Sequence, residues 1–195
     1  MRWDARNSRE KLIAAAAKVM RERGHTVPLQ EVIDAAGLGR GTLYRHFADR
    51  ESLIIAVIEH DLDAASELIE TSADSRTLFF DFLETRSASA AAFLPALLSI
   101  DSERLRSFTE ATRPRYDALL STVVDRAREA GVIRHDYTPQ DLALTIEMLS
   151  LARQRCSGER SRLPARLLDF LMQGVGSRTQ EPLELEGNGA PSRRS

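Results

Sequence analysis

Cysteine is nearly absent from this 195-residue chain. Its single copy, Cys156, rules out an intrachain disulfide framework and a cysteine-based metal cluster. Long hydrophobic runs are missing too. The longest candidate, Leu53–Ile58, is far short of the ~20 residues that cross a bilayer and fits one stripe of a helix. The opening residues lack the charged-then-apolar layout of a secretory signal. These absences predict a reduced, cytoplasmic protein with no membrane partner. Catalytic vocabulary is equally sparse. His25, His46, His60 and His135 are scattered, Cys156 has no neighbouring histidine, and no H-E-x-x-H or phosphate loop occurs. Gly37-Leu38-Gly39-Arg40-Gly41 superficially suggests a dinucleotide loop, but Thr42 stands where the third glycine belongs and no strand precedes it. Neither an enzyme nor a cofactor is expected.

What is present is an uneven charge distribution and a helical rhythm. The net charge is −2, yet residues 1–50 hold ten Lys/Arg against six Asp/Glu, or +4, leaving −6 for the rest. A basic head on an acidic body suits a polyanion at the head, although a solvated surface would also carry this charge. No segment alternates convincingly at period two, while apolar residues recur at 3.6-residue spacing throughout, so the chain reads as all-α. Asn7, with Glu10 three residues on, signals the start of a first helix that buries Leu12, Ile13, Ala16, Val19 and Met20 and stops at Gly24. There Arg21 and Arg23 suit the negative end of the helix dipole. A short second helix spans Leu29–Ala36 and stops at Gly37. A third runs from Arg40 to about Phe47, and Asp49 caps a fourth whose inner stripe is Leu53, Ile54, Val57, Ile58, Leu62, Ala65, Leu68 and Ile69.

Helix, helix, glycine turn, helix is the layout of a helix-turn-helix reader. Leu38, Leu43 and Phe47 anchor the third helix, which leaves Arg40, Thr42, Tyr44, Arg45 and His46 for the DNA groove. Gly41 permits close approach of the backbone. Arg40 and Arg45 reach guanine edges or phosphates, and Thr42 a thymine methyl or a phosphate. Tyr44 either gives its hydroxyl to a phosphate or packs; His46 either meets DNA or satisfies a local hydrogen bond. The run GRGTLYRHF-ADRESL, residues 39–53, resembles the DNA-binding signature of the TetR family of bacterial regulators, and the likeness extends over residues 7–70. The resemblance implies that Arg50 is a phosphate clamp. It also exposes a departure: Pro28 stands where many members carry a capping threonine. Either Thr26 caps the second helix instead, or the Leu29 and Gln30 amides face phosphate unaided, with Gln30 as that helix's candidate side chain.

Beyond Thr71, helices are expected over Leu78–Arg86, over Ala88–Ser99 around Pro95, from a first turn containing Pro114 to Ala130, and from Thr138-Pro139 to about Cys156 and Gly158. Leu163–Met172 makes a last one. The segments Arg128–Asp136 and Thr138–Leu142 resemble a helix junction common in one branch of the family. The domain reading is 1–48 for the helix-turn-helix, 49–175 for a helical regulatory and dimerisation domain, and 176–195 as a disordered tail. By resemblance, the last two helices form a homodimer interface. The nearly all-round apolar run Leu142, Leu144, Ile146, Met148, Leu149, Leu151 suits that role or a central core helix. The resemblance also implies a cavity for an unknown small-molecule effector, with Phe79, Phe82, Phe93, Leu97, Ile100, Phe108, Tyr116 and Met148 as either lining or core. Glu147, on an apolar helix, would need a partner if buried: a cationic ligand, Arg153 or solvent. The expected partners are double-stranded operator DNA, a second copy of the chain and that effector.

Overall fold

The computed structural model describes residues 2–155, 166–170 and 173, with only the backbone of residues 2–5. Among residues 2–155 seven helices follow one another: α1 (Arg2–Arg23), α2 (Leu29–Ala36), α3 (Arg40–His46), α4 (Arg50–Thr71), α5 (Ser75–Leu97), α6 (Ser102–Glu129) and α7 (Pro139–Arg155). Residues 166–170 are also helical, and among the described residues there is no strand. Cys156, Gly158, residues 163–165, 171 and 172 of the expected last helix, and the expected tail at 176–195 lie outside the described residues.

Glycine and capping signals decide where most helices stop and start. Gly37 takes φ +65°; its amide bonds the Asp34 carbonyl at 3.1 Å and the Leu38 amide bonds the Ile33 carbonyl at 3.2 Å. This paired closure needs a left-handed residue and turns Leu38 back onto the core. Gly131 repeats it, with the Val132 amide on the Ala127 carbonyl at 2.9 Å. Asp49 accepts from the Ser52 amide at 2.7 Å while the Asp49 amide donates to Ser52 Oγ, a reciprocal cap for α4. Thr138 and Asp141 do the same for α7, with Pro139 in its first position as expected.

Three boundaries differ from the sequence reading. Helix α1 begins at Arg2, so Asn7 does not cap it, and Arg6 pairs with Glu10 along a helix already under way. No glycine or proline stands before Asn7 to stop the helix extending backward. Helix α5 is one helix where two were expected, and Pro95 falls in its last turn, so the proline comes just before the helix ends. Helix α6 starts at Ser102 because Asp101 accepts from the Glu103 and Arg104 amides; Pro114 therefore lies mid-helix, exposed.

Two cores result. One gathers Leu12, Ala16 and Met20 of α1, Val32 and Ile33 of α2, Leu43 and Phe47, the first half of α4, Phe93 and Ala96 at the end of α5, and Ile100 just beyond it. The other joins the second half of α4 (Leu62, Ala65) to Phe79, Phe82 and Leu83 of α5, Val123 and Val124 of α6, and Ile146 and Leu149 of α7. Helix α4 thus belongs to both. The far end of α5 also enters the first core, so two continuous helices join the cores.

Candidate nucleic-acid interface and ligand cavity

Helix α3 is short, and its orientation depends on what it buries. Leu43 is 1% exposed and Phe47 3%, and residues four apart share one face. Burying two such side chains is worth roughly 1.5–3 kcal/mol each, enough to hold a seven-residue helix that would not form alone. Arg9 lies over the Phe47 ring, its guanidinium carbon 5.5 Å from the centroid. The opposite face is then obliged to point outward. Arg40, Gly41, Tyr44 and Arg45 are exposed, while Thr42 and His46 are half-buried. Tyr44, 54% exposed, does not pack into the core. Among the described residues neither Arg40 nor Arg45 has a hydrogen bond or ion pair, which leaves both guanidinium forks open to base edges or phosphate. A Cβ at Gly41 would meet nothing within 4 Å, so that surface is open to an approaching duplex.

Helix α2 presents the second part of this surface. Pro28 is itself the N-cap, with no side-chain cap bond. Thr26 therefore does not cap the helix, and the Leu29 and Gln30 amides stand without one. The Gln30 side chain is exposed and donates to Asp34 at 2.8 Å. Arg50 is where the structure departs furthest from expectation. Its guanidinium donates to the His25 carbonyl at 2.8 Å and the Val27 carbonyl at 2.6 Å. It fastens the α1–α2 loop to α4, so its donors are turned inward instead of toward a phosphate.

The second feature is a cavity of about 290 Å³ between α4, α5, α6 and α7. Of the residues expected there, Phe93, Leu97, Phe108 and Tyr116 line it, with Ile58, Leu62 and Ile146. Five others do not. Phe79 and Phe82 are fully buried because each points to the packed side of α5, and Ile100, in the link between α5 and α6, sits in the first core. Glu147 and Met148 are exposed: Leu142, Ile146 and Leu149 turn α7 inward, which rotates 147 and 148 out. Arg153 is engaged with Glu84 and Ser87 and does not pair with Glu147.

The polar wall of this cavity was not anticipated. Arg86, 7% exposed, pairs with the Asp61 carboxylate and donates to the Asp61 carbonyl at 2.9 Å. Ser89 Oγ donates to Asp61 at 2.7 Å, and Arg21 of α1 reaches the same carboxylate at 3.0 Å. Arg21, read from the sequence as a partner of the helix dipole, thereby ties the reading domain to the cavity wall and lies 5.1 Å over the Phe93 ring. Burial pushes Arg86 down to about 10 and pushes the Tyr116 hydroxyl up. A signal existed for both missed residues. Asp61 sits in register with Val57 and Ala65, and Arg86 with Phe79, Phe82 and Phe93, so each is a charge on an otherwise apolar stripe.

A model described as bacterial regulatory proteins of the tetR family matches residues 12–57. A second, described as the C-terminal domain of SbtR-like transcriptional regulators, matches residues 74–177, more than half of the chain. An HTH-type transcriptional regulator of Staphylococcus aureus is 39% identical over 64 residues, spanning 32% of this chain and 35% of its own length. That match thus covers about a third of such relatives. The crystal structure of a TetR transcriptional regulator from Streptomyces coelicolor aligns over 88% of this chain and 99% of that one, at 26% identity and TM-score 0.65. A TetR regulator from Mycobacterium vanbaalenii aligns over 90% and 98%, at 25% identity and TM-score 0.63.

Proposed function

The chain belongs to the TetR family of bacterial transcriptional regulators, and from that premise we propose that it is a cytoplasmic repressor, binding a palindromic operator as a dimer and released by a small molecule held in the α4–α7 cavity. The observation that carries the DNA half of this reading is the split of α3 into a buried anchor and an exposed edge bearing two unpartnered arginines. Arg40 and Arg45 supply base or phosphate contacts, Gly41 the close approach, and Thr42, Tyr44 and His46 the neighbouring contacts. Gln30 and the uncapped start of α2 face the backbone. Phosphate contacts set the register, and two or three side chains read sequence.

Dimerisation rests on a second observation. Leu144, Met148 and Leu151 are 55%, 40% and 42% exposed and fall at positions i, i+4 and i+7 of α7. They make an apolar stripe that a second copy would cover, and Phe170, 62% exposed, is a further uncovered apolar side chain. Two reading helices related by a two-fold axis then meet half-sites about 34 Å apart.

The test is binding of the full chain to its own promoter fragment at two salt concentrations. A specific complex whose affinity falls steeply with salt is expected. Arg45→Ala should lower affinity for that fragment more than for random DNA. Binding that is equally weak on both fragments with the native chain would sink the regulator reading in favour of a small-molecule-binding protein without specific DNA contact.

A further inference from the structure

The cavity's apolar walls say little about its occupant, but its charged wall says more. Asp61 is saturated: one carboxylate oxygen accepts from Arg21 and Ser89 and the other from Arg86. Arg86 has Asp61 alone as its partner among the described residues. Two guanidinium groups against one carboxylate leave one positive charge in excess. Arg113 at the rim adds nothing, being paired with Asp117 at 3.0 Å. The Tyr116 hydroxyl faces the same space and has no hydrogen-bond partner among the described residues, yet it is not sealed off by protein. A buried cation with spare donors and a free hydroxyl, above a wall of Phe93, Leu97, Phe108 and Ile146, favour an acceptor that carries negative charge. They disfavour a cationic guest.

We propose that the cavity takes an amphipathic organic anion, its acid head on Arg86 and Tyr116 and its apolar body along Phe93, Leu97 and Phe108, and that occupancy reaches the reading domain through the Arg86–Asp61–Arg21 chain. This rests on the ligand-released regulator reading and names both the ligand class and the route. A carboxylate bound to Arg86 competes with Asp61 for its donors. Asp61 then changes its hold on Arg21, which sits on the helix that packs directly against α2 and α3. Arg21 is a positioning residue in this scheme and does not touch the ligand.

The test uses the full chain and three probes of one chain length: octanoate, octan-1-ol and octylammonium. Binding is measured by calorimetric titration, and release by loss of the promoter complex. Octanoate should bind at least about tenfold tighter than the alcohol, with octylammonium weakest. The Arg86→Met variant should lose that preference. Because it leaves Asp61 with one fewer partner and is at risk of misfolding, Tyr116→Phe, which keeps the ring, is the second variant; it should weaken octanoate several-fold. Octanol binding as well as octanoate, or no binding by any probe, overturns the ligand class and leaves the regulator reading standing. Preferred octanoate binding without release of DNA preserves the class and overturns ligand release. The route is tested by Arg21→Met, which takes one of the two positive charges from the cluster and so should weaken octanoate, and which should also shrink the antagonism between octanoate and promoter DNA when each is saturating, a coupling of ordinarily ~5–150-fold. Undiminished antagonism in that variant overturns the route.

Discussion

At the scale of single residues, charge on this chain acts through what it touches more than through its total. Asp49 shows it. Its carboxylate caps α4 through the Ser52 amide and also accepts from Arg104 of α6 at 2.9 Å, and Arg104 holds Glu51 at 3.0 Å. The Arg104 hydrogen bond, followed by the Ser52 amide, holds Asp49 down at about 2. A carboxyl whose folded value lies below its unfolded value of about 3.9 contributes stability that is complete above that value and lost as pH falls toward 2. The native chain should therefore have a higher urea midpoint than Asp49→Asn at pH 6, with the gap narrowing at pH 4 and again at pH 3. A gap that stays constant across this range would show that the charge on Asp49 is not what the cap and the Arg104 contact use. Arg50 makes the same point from the other side. It is one residue away and equally charged, yet it is engaged by two loop carbonyls.

At the scale of elements, the turn between α2 and α3 fixes the angle at which the reading helix leaves the body. Gly37 and Gly39 flank it and differ in one respect that matters. Gly37 has φ +65°, whereas Gly39, the N-cap of α3, has φ −87°, and an added Cβ would meet nothing within 4 Å at either. Steric contact is thus equal, and backbone handedness alone separates them. Gly37→Ala should cost ~1–2 kcal/mol of unfolding free energy, the penalty for a left-handed L-residue, while Gly39→Ala should be close to neutral. Equal losses in chemical denaturation would mean that the left-handed turn is not formed in solution. The same logic separates the prolines. Pro139 sits at the first position of α7, where a missing amide is harmless, whereas Pro114 interrupts the exposed face of α6, where water can meet the freed carbonyl.

At the scale of the molecule, the second core leaves one face of α7 uncovered while sealing the other. Leu142, Ile146 and Leu149 are buried and Leu144, Met148 and Leu151 are not. A charge placed on the outer face should leave the fold intact and break the assembly. Under the proposed assembly, Met148→Asp is expected to keep its helical circular dichroism, to sediment as a monomer against an expected dimer for the native chain, and to lose promoter affinity because two half-sites would no longer be bound together. A dimer that survives this substitution would move the interface off α7.

Much of this was legible in the order of residues. The all-helical class, the stops at Gly24, Gly37 and Gly131, the caps at Asp49 and Thr138, and the division of α3 into Leu43 and Phe47 against Arg40, Tyr44 and Arg45 all follow from local signals: a 3.6-residue period, a left-handed glycine, a side chain that bonds its own helix start. Such signals act over a few residues, so a linear reading captures them. The junction near Ser87, the inward turn of Arg50 and the outward turn of Glu147 and Met148 were decided by partners 23 or more positions away or by which side of a helix found a neighbour. The Arg21–Asp61–Arg86 chain belongs with these: α1, α4 and α5 each supply one charge, and only packing brings the three to the same few ångströms. Sequence determined the reading helix because its two anchors, Leu43 and Phe47, are four residues apart and so set which face is left outward; tertiary structure decided the cavity, because burial makes a charge informative and burial is a property of the assembled helices.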